Sequence, residues 1–215
     1  MKKTFLIISL LAGSAVAGPL LGFYAAQATA GASWVWYVSR ASGLLAFVFL
    51  WLTVFLGLAI RNPSFKRIIS PFYSLDFHSF MGAMALFWSL VHGSSFLLHN
   101  ADFSFSLPEV ALPFYSKTAL VDVNFMALGI LAFYGLVILG ATSYLRNHLS
   151  HSAWRIIHFL NPIVFLFVVF HGLVVGTDTK QFLIGWSYIL ASLFLALIYL
   201  ENLFFRLYQK FSSKF

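Results

Sequence analysis

The sequence has 215 residues, of which 61% are hydrophobic, 19% are aromatic and only 9% are charged. Soluble domains carry roughly a quarter charged residues, so this composition excludes an ordinary soluble protein. Cysteine is absent, which excludes disulfides, thiolate catalysis, iron–sulfur clusters and cysteine zinc sites. Any metal or cofactor must therefore depend mainly on the seven histidines.

Apolar segments long enough to cross a membrane follow one another along the chain. The breaks between them combine charge with glycine, proline, serine or asparagine, which is typical of loops. Because lipid offers no hydrogen-bond partners, each segment is predicted to be an α-helix. The sequence therefore predicts an all-α, polytopic membrane bundle of about six transmembrane helices, at about residues 4–28, 34–60, 72–99, 124–146, 154–176 and 181–205.

The first segment has two interpretations. Its basic start, its apolar run and Ala15-Val16-Ala17 are typical of a cleavable signal peptide. The apolar character continues to about residue 28, which is long for a signal peptide and suits a membrane span. We therefore expect residues 1–30 to form an N-terminal transmembrane helix, with a signal peptide as the alternative. Residue 34 begins on the outer side in either case.

The positive charges predict the orientation. Ten of the thirteen lysines and arginines lie before the first span, after the second, around the loop after the fourth, or after the last span. Alternating spans place these positions on one side, which the positive-inside rule assigns to the cytoplasm. We expect an integral protein of a bacterial inner membrane with both termini in the cytoplasm. The net charge of +7 thus reflects topology, and no nucleic-acid partner is expected.

Four histidines lie inside predicted spans, where ionisable side chains are rare and usually functional. His78 and His92 are fourteen residues apart in the third span, and His158 and His171 are thirteen apart in the fifth. Each pair extends along its helix by roughly 20 Å. Since the two spans run parallel, we expect His78 beside His158 near the cytoplasm and His92 beside His171 near the outside. Facing imidazoles can be the axial ligands of two stacked haems between these helices.

Helix geometry sets a condition on the fifth span. Fourteen residues at about 100° each return a helix to within roughly 40° of its starting face, whereas thirteen leave it about 140° away. His158 and His171 would therefore face different sides of a regular helix. Asn161-Pro162 lies between them, and proline kinks or rephases a helix. We expect a bend or a π-type irregularity near residues 158–162.

Two arginines and three glycines flank the histidines. Arg40 lies inside the outer end of the second span, where it is expected to bind a haem propionate or an anionic acceptor, or to snorkel to the interface. Arg155 precedes His158 by one turn and is expected to bind at the inner haem, although topology alone also explains it. The glycines are expected to form a wall against a flat macrocycle or to serve helix packing: Gly82, Gly93 and Gly172.

Over about residues 33–205 the sequence resembles the ferric reductase-like transmembrane domain. The resemblance rests on SRASGLLAF and GLAIRN in the second span and on the two histidine spacings. The family includes ferric-chelate reductases, NADPH oxidases and the haem-bearing membrane subunit that serves a periplasmic methionine-sulfoxide reductase. The resemblance implies two b-type haems, held by His78 with His158 and by His92 with His171, and it implies that Arg40 lies by the outer haem.

Family members usually carry a cytoplasmic flavin and nicotinamide domain after the last span. Here residues 206–215 form a short basic tail, and no glycine-rich dinucleotide fingerprint occurs. We therefore expect no flavin or nicotinamide domain, and a separate flavoprotein or quinol as the electron donor. The expected docking place for an external acceptor or partner protein is the outer loop around SLPEVALPFYSK.

The expected function is transmembrane electron transfer to an external acceptor, namely a ferric chelate, oxygen or a periplasmic reductase. The chain would then be a haem-containing membrane oxidoreductase or its electron-transfer subunit. One alternative is a proton or metal-ion transporter, which would need intramembrane carboxylates. Another is a non-catalytic membrane scaffold in which the histidines form interhelical hydrogen bonds.

Overall fold

The computed structural model describes residues 34–60, 62–65, 71–98, 105–117 and 121–212, so the predicted first span lies outside the described residues. Within these ranges all regular structure is helical. Short 3₁₀ helices occupy Arg146–His148 and Asp178–Lys180. The α-helices are α1 (Trp34–Ala59), α2 (Pro71–Ser95), α3 (Leu107–Ala111), α4 (Val123–Tyr144), α5 (His151–His158), α6 (Asn161–Val175) and α7 (Phe182–Ser212).

Four stretches of the described chain are long and apolar enough to cross a membrane: α1, α4, α5 together with α6, and α7. The all-helical class is thereby confirmed, and four of the predicted spans are candidate membrane helices. The third predicted span, residues 72–99, is also helical over most of its length, because it coincides with the 25 residues of α2. It is less apolar than the other four because it contains two histidines and several serines.

Several helices begin at residues whose chemistry suits a helix start. Asp122 precedes α4, and its carboxylate accepts hydrogen bonds from the backbone N–H groups of Asn124 at 2.9 Å and Phe125 at 3.3 Å. Ser150 precedes α5 and accepts from the N–H of Ala153 at 3.2 Å. These side chains satisfy donors that a helix leaves open in its first turn. The local sequence therefore fixes where these helices start.

The core lies where α1, α2, α6 and α7 meet. α1 packs along α2, and α4 packs along α6. Since lipid is as apolar as these side chains, helix association depends on close packing rather than on removal from water. Phe47 and Tyr188 show this closeness, because their rings stack with centres 3.7 Å apart. The buried cluster consists of Phe47, Leu50, Val54, Ala85, Phe165, Val169, Tyr188 and Leu195.

Polar contacts join α1 to the 3₁₀ helix before α7 at one end, and the segment after α1 to α7 at the other end. At one end Arg40 Nε donates to the two carboxylate oxygens of Asp178, at 3.1 and 2.9 Å. At the other end Glu201 accepts hydrogen bonds from Asn62 Nδ2 at 2.9 Å and from Ser64 Oγ at 2.7 Å. The segment after α1 and the C-terminal part of α7 therefore lie at the same end of the bundle, as the alternation of spans predicts.

The fifth predicted span is interrupted between α5 and α6. The N–H of Leu160 donates to the carbonyl of Ile157 at 3.0 Å, and that of Ile163 donates to Leu160 at 3.0 Å. Both bonds span three residues rather than four, which is the 3₁₀ pattern. Pro162 has no N–H to offer the carbonyl of His158, so the regular α-helical bond is lost there.

This 3₁₀ turn changes the phase of the helix. A 3₁₀ turn has three residues, so each residue rotates the chain about 20° further than in an α-helix. Three such residues contribute about 60° toward the shortfall of about 140° between His158 and His171, whereas a π-turn rotates the chain in the opposite sense. The expected irregularity near residues 158–162 is confirmed, and its hydrogen bonds are of the 3₁₀ type rather than the π type, which was one of the two expected forms.

Candidate functional site

The structure brings the histidines of α2 next to those of α5 and α6 in two separate pairs. The ring centres of His78 and His158 lie 6.0 Å apart with the planes tilted by 60°. Those of His92 and His171 lie 6.2 Å apart at 80°. Fourteen residues separate His78 from His92 on α2, a rise of about 21 Å. The molecule therefore carries two levels, each with two facing imidazoles.

Backbone carbonyls orient three of the four rings. A carbonyl oxygen only accepts hydrogen bonds, so each Nδ1 atom must carry its hydrogen. The Nε2 atom of each neutral ring then keeps its lone pair for a metal. The bonds join Nδ1 of His78 to Thr53 at 2.7 Å, Nδ1 of His92 to Ser39 at 2.8 Å and Nδ1 of His171 to Phe125 at 2.9 Å.

The geometry of each pair fits a haem iron. A bond of about 2 Å from a first-row metal to each imidazole nitrogen, with roughly 1 Å from that nitrogen to the ring centre, places the two ring centres about 6 Å apart. No group of three or more metal-ligating side chains occurs among the described residues. A site with only two histidines suits a metal whose other positions a macrocycle already fills. Each level therefore has the donors that a bis-histidine haem needs.

Trp154 belongs to the inner level. Its ring stacks on His158 with centres 5.0 Å apart and planes within 22°, and the guanidinium of Arg146 lies 5.4 Å from its centre. The buried indole N–H of Trp154 has no hydrogen-bond partner in the described part of the chain, and the same holds for Trp88 on α2. Buried donors normally form hydrogen bonds, so a bound group with acceptor atoms would accept hydrogen bonds from these two indoles. The i, i+4 spacing of Trp154 and His158 is a sequence signal for this contact that the residue-type argument missed.

The two arginines lie in different environments. Arg40 forms a two-point ion pair with Asp178, whose side chain is only 11% exposed against 30% for Arg40. The charge of Arg40 is thus matched by a carboxylate of the chain at the outer level. Sequence reasoning missed this partner, although Asp178 lies in a short outer loop. Arg155 is exposed on α5, one turn before His158.

The glycines that adjoin the histidines are not those predicted. Gly82, Gly93 and Gly172 face other side chains, since added Cβ atoms would meet Thr53 at 3.6 Å, Val110 at 3.9 Å and Tyr188 at 2.8 Å. Helix packing accounts for Gly172, which lies close against Tyr188, and a wall against a macrocycle stays a prediction for Gly82 and Gly93. The glycines that lie against histidine rings are on α1 and α4 instead, namely Gly43, Gly57 and Gly129. Nothing in the sequence was a reason to select them, because each contacts a histidine of another helix.

A family model described as a ferric reductase-like transmembrane component matches residues 42–169, which is more than half of the chain. The matched range begins inside α1 and ends inside α6. It includes His78, His92 and His158, and His171 lies two residues beyond it. No curated protein matches the chain.

Proposed function

The chain belongs to the family of ferric reductase-like transmembrane components, and we propose that it transfers electrons across a membrane through two b-type haems. The observation that carries the proposal is the pairing of four histidines at two levels, with ring centres 6.0 and 6.2 Å apart. His78 and His158 are the proposed axial ligands of the inner haem. His92 and His171 are those of the outer haem.

The residues of this chain determine how such groups would be held. A haem at each pair would supply an iron that gains and loses one electron. The carbonyls of Thr53, Ser39 and Phe125 keep the Nδ1 hydrogens in place, so that Nε2 is presented for ligation. The apolar helix faces exclude water and lower the local dielectric constant, which are the properties by which a protein sets a haem potential.

The proposed direction is from the cytoplasm outward. The inner level takes electrons from a cytoplasmic flavoprotein or from quinol, and the outer level passes them to a ferric chelate, to oxygen or to a periplasmic reductase. The exposed Arg146 and Arg155 lie at the end of the inner level, in keeping with the positive-inside rule. The protein would lie in a bacterial inner membrane with cytoplasmic termini, and α2 and residues 4–28 would bring the spans to six.

Arg40 and Arg155 are the proposed partners of haem propionates at the outer and inner levels. Asp178 engages Nε and Nη2 of Arg40. A guanidinium carries five N–H donors, so donors remain for a second anion beside the outer pair. The two-point contact with Asp178 also fixes the plane of that guanidinium.

Purified protein in detergent tests the proposal by a reduced-minus-oxidised spectrum, in which two b-type haems are expected. His92→Ala and His171→Ala should each remove the same haem, and His78→Ala and His158→Ala should each remove the other. His148→Ala, in the exposed 3₁₀ helix after α4, should remove neither. A spectrum without b-type bands, or losses that cross between the pairs, would refute the assignment.

A further inference from the structure

We infer that Gly43, Gly57 and Gly129 are positioning residues for the histidine ligands, a role that rests on the proposed function. Each would open one backbone carbonyl to the Nδ1–H of a histidine on the neighbouring helix. In this way each glycine would set both the orientation of the imidazole and its strength as an electron donor to iron. Gly43 and Gly129 would act on the outer pair, and Gly57 would act on the inner pair.

The register of the contacts is the first argument. Each carbonyl that binds a histidine belongs to the residue four positions before a glycine. In an α-helix that carbonyl already accepts the N–H of the glycine, and it retains a second lone pair. Because Cα–Cβ bonds tilt toward the N-terminus, a side chain four residues later would lie over this oxygen. The three matched sets are Ser39 with Gly43, Thr53 with Gly57, and Phe125 with Gly129.

The space at each glycine is the second argument. A Cβ atom at Gly43 would lie 3.0 Å from Nδ1 and 3.1 Å from Cε1 of His92. One at Gly57 would lie 3.1 Å from Cε1 of His78. One at Gly129 would lie 2.6 Å from Nδ1 of its histidine, closer than real Cβ atoms come to any neighbour. An alanine would therefore push the imidazole away from its carbonyl, most strongly at position 129.

The electronic consequence has a definite sign. An Nδ1–H that donates to a carbonyl makes the imidazole a stronger base and so a better ligand for ferric iron. Weakening this bond favours the ferrous form and raises the midpoint potential of that haem alone. His158 is held differently, by stacking on Trp154, so the inner haem would depend on one such glycine and the outer haem on two.

The test compares Gly43→Ala, Gly57→Ala and Gly129→Ala in the full chain, with haem content and redox potentiometry as readouts. Gly140→Ala on α4 is the matched control, because its added Cβ atom would lie at an ordinary 3.9 Å from Leu86. We expect Gly129→Ala to lose the outer haem. Gly43→Ala should raise the potential of the outer haem only, and Gly57→Ala that of the inner haem only, with the haems identified from the histidine variants.

Unchanged potentials in both Gly43→Ala and Gly57→Ala would overturn the inference, as would an equal shift in Gly140→Ala. These two variants also decide the question if Gly129→Ala fails to accumulate in the membrane. The proposed function has a separate point of failure. A wild-type protein without haem refutes the function, whereas a two-haem wild type with unaffected glycine variants refutes only the positioning role.

Discussion

Arg40 shows how a single side chain depends on its partner inside a membrane protein. A guanidinium one to two turns inside an apolar helix is costly without a counter-charge. Asp178 supplies that charge through a two-point contact across 138 residues of sequence. Because Asp178 is nearly buried and Arg40 is partly exposed, removing either partner leaves the other charge poorly solvated.

A double-mutant cycle measures this contact. We expect Arg40→Leu and Asp178→Leu each to lower the free energy of unfolding by about 2 kcal/mol, below the roughly 3–5 kcal/mol of a fully buried pair because Arg40 is 30% exposed. The double variant should lose less unfolding free energy than the sum of the two single variants, since it leaves no unpaired charge. Unfolding of the detergent-solubilised proteins gives the four free energies of the cycle, for the unaltered protein, the two single variants and the double variant. Arg206→Leu, at an exposed position of α7, is the control, and additive losses would contradict the pairing.

At the scale of elements, the turn between α5 and α6 decides whether His158 and His171 can both face the histidines of α2. The composition of the segment predicts one continuous span, and 3.6-residue periodicity then places His158 and His171 on different faces. Proline at position 162 indicates where the irregularity lies. Its 3₁₀ type is seen only in the backbone hydrogen bonds of the folded chain, which 3.6-residue periodicity does not specify.

Pro162→Ala tests the role of this turn. An alanine restores the N–H that the carbonyl of His158 lacks, and it favours one continuous helix. We expect a continuous helix to misalign the two histidines and to lower the ratio of haem to protein, measured by absorbance. Pro108→Ala, in α3 of the outer loop, should leave that ratio unchanged. A Pro162→Ala protein with full occupancy of both haems would show that tertiary packing alone maintains the turn.

The outer loop carries a pH-dependent element. The carboxylate of Glu109 accepts from the backbone N–H of Ser106 at 2.9 Å and from its hydroxyl at 2.8 Å. These bonds lower the pKa of Glu109 from its ordinary value of 4.5. A lowered pKa in the folded state means that the stabilisation of α3 is fully present above pH 4.5 and is lost as the pH falls through the lowered pKa.

Hydrogen exchange of the peptide 105–117 measures this effect after correction for the intrinsic pH dependence of exchange. Protection of the amides in α3 should be constant from pH 7 to about pH 5 and should then decrease as Glu109 is protonated. Glu109→Gln should show at every pH the reduced amide protection that the unaltered protein shows only after Glu109 is protonated. If the two proteins lose protection equally on acidification, the carboxylate does not stabilise the loop.

At the scale of the whole molecule, the helices alternate in direction, and contacts at both ends of α1 and α7 hold the bundle together. The distribution of basic residues predicts which end faces the cytoplasm. Because the chain has no cysteine, single cysteines introduced at Lys117 and His148 report the topology directly. A membrane-impermeant maleimide should label the first from outside the cell and the second only after the membrane is permeabilised. Labelling of both from one side would contradict the alternation.

By itself, the sequence determined the helices and the spacing of the histidines along them, because apolar composition, helix-start chemistry and rise per residue are local properties. It also located the irregularity at Pro162. Only the tertiary structure decided which carbonyl each imidazole reaches, which glycines make room for it, and that Asp178 meets Arg40. Those contacts join residues far apart in the chain, so they depend on how each helix is rotated and how closely its neighbours approach, which no single segment encodes.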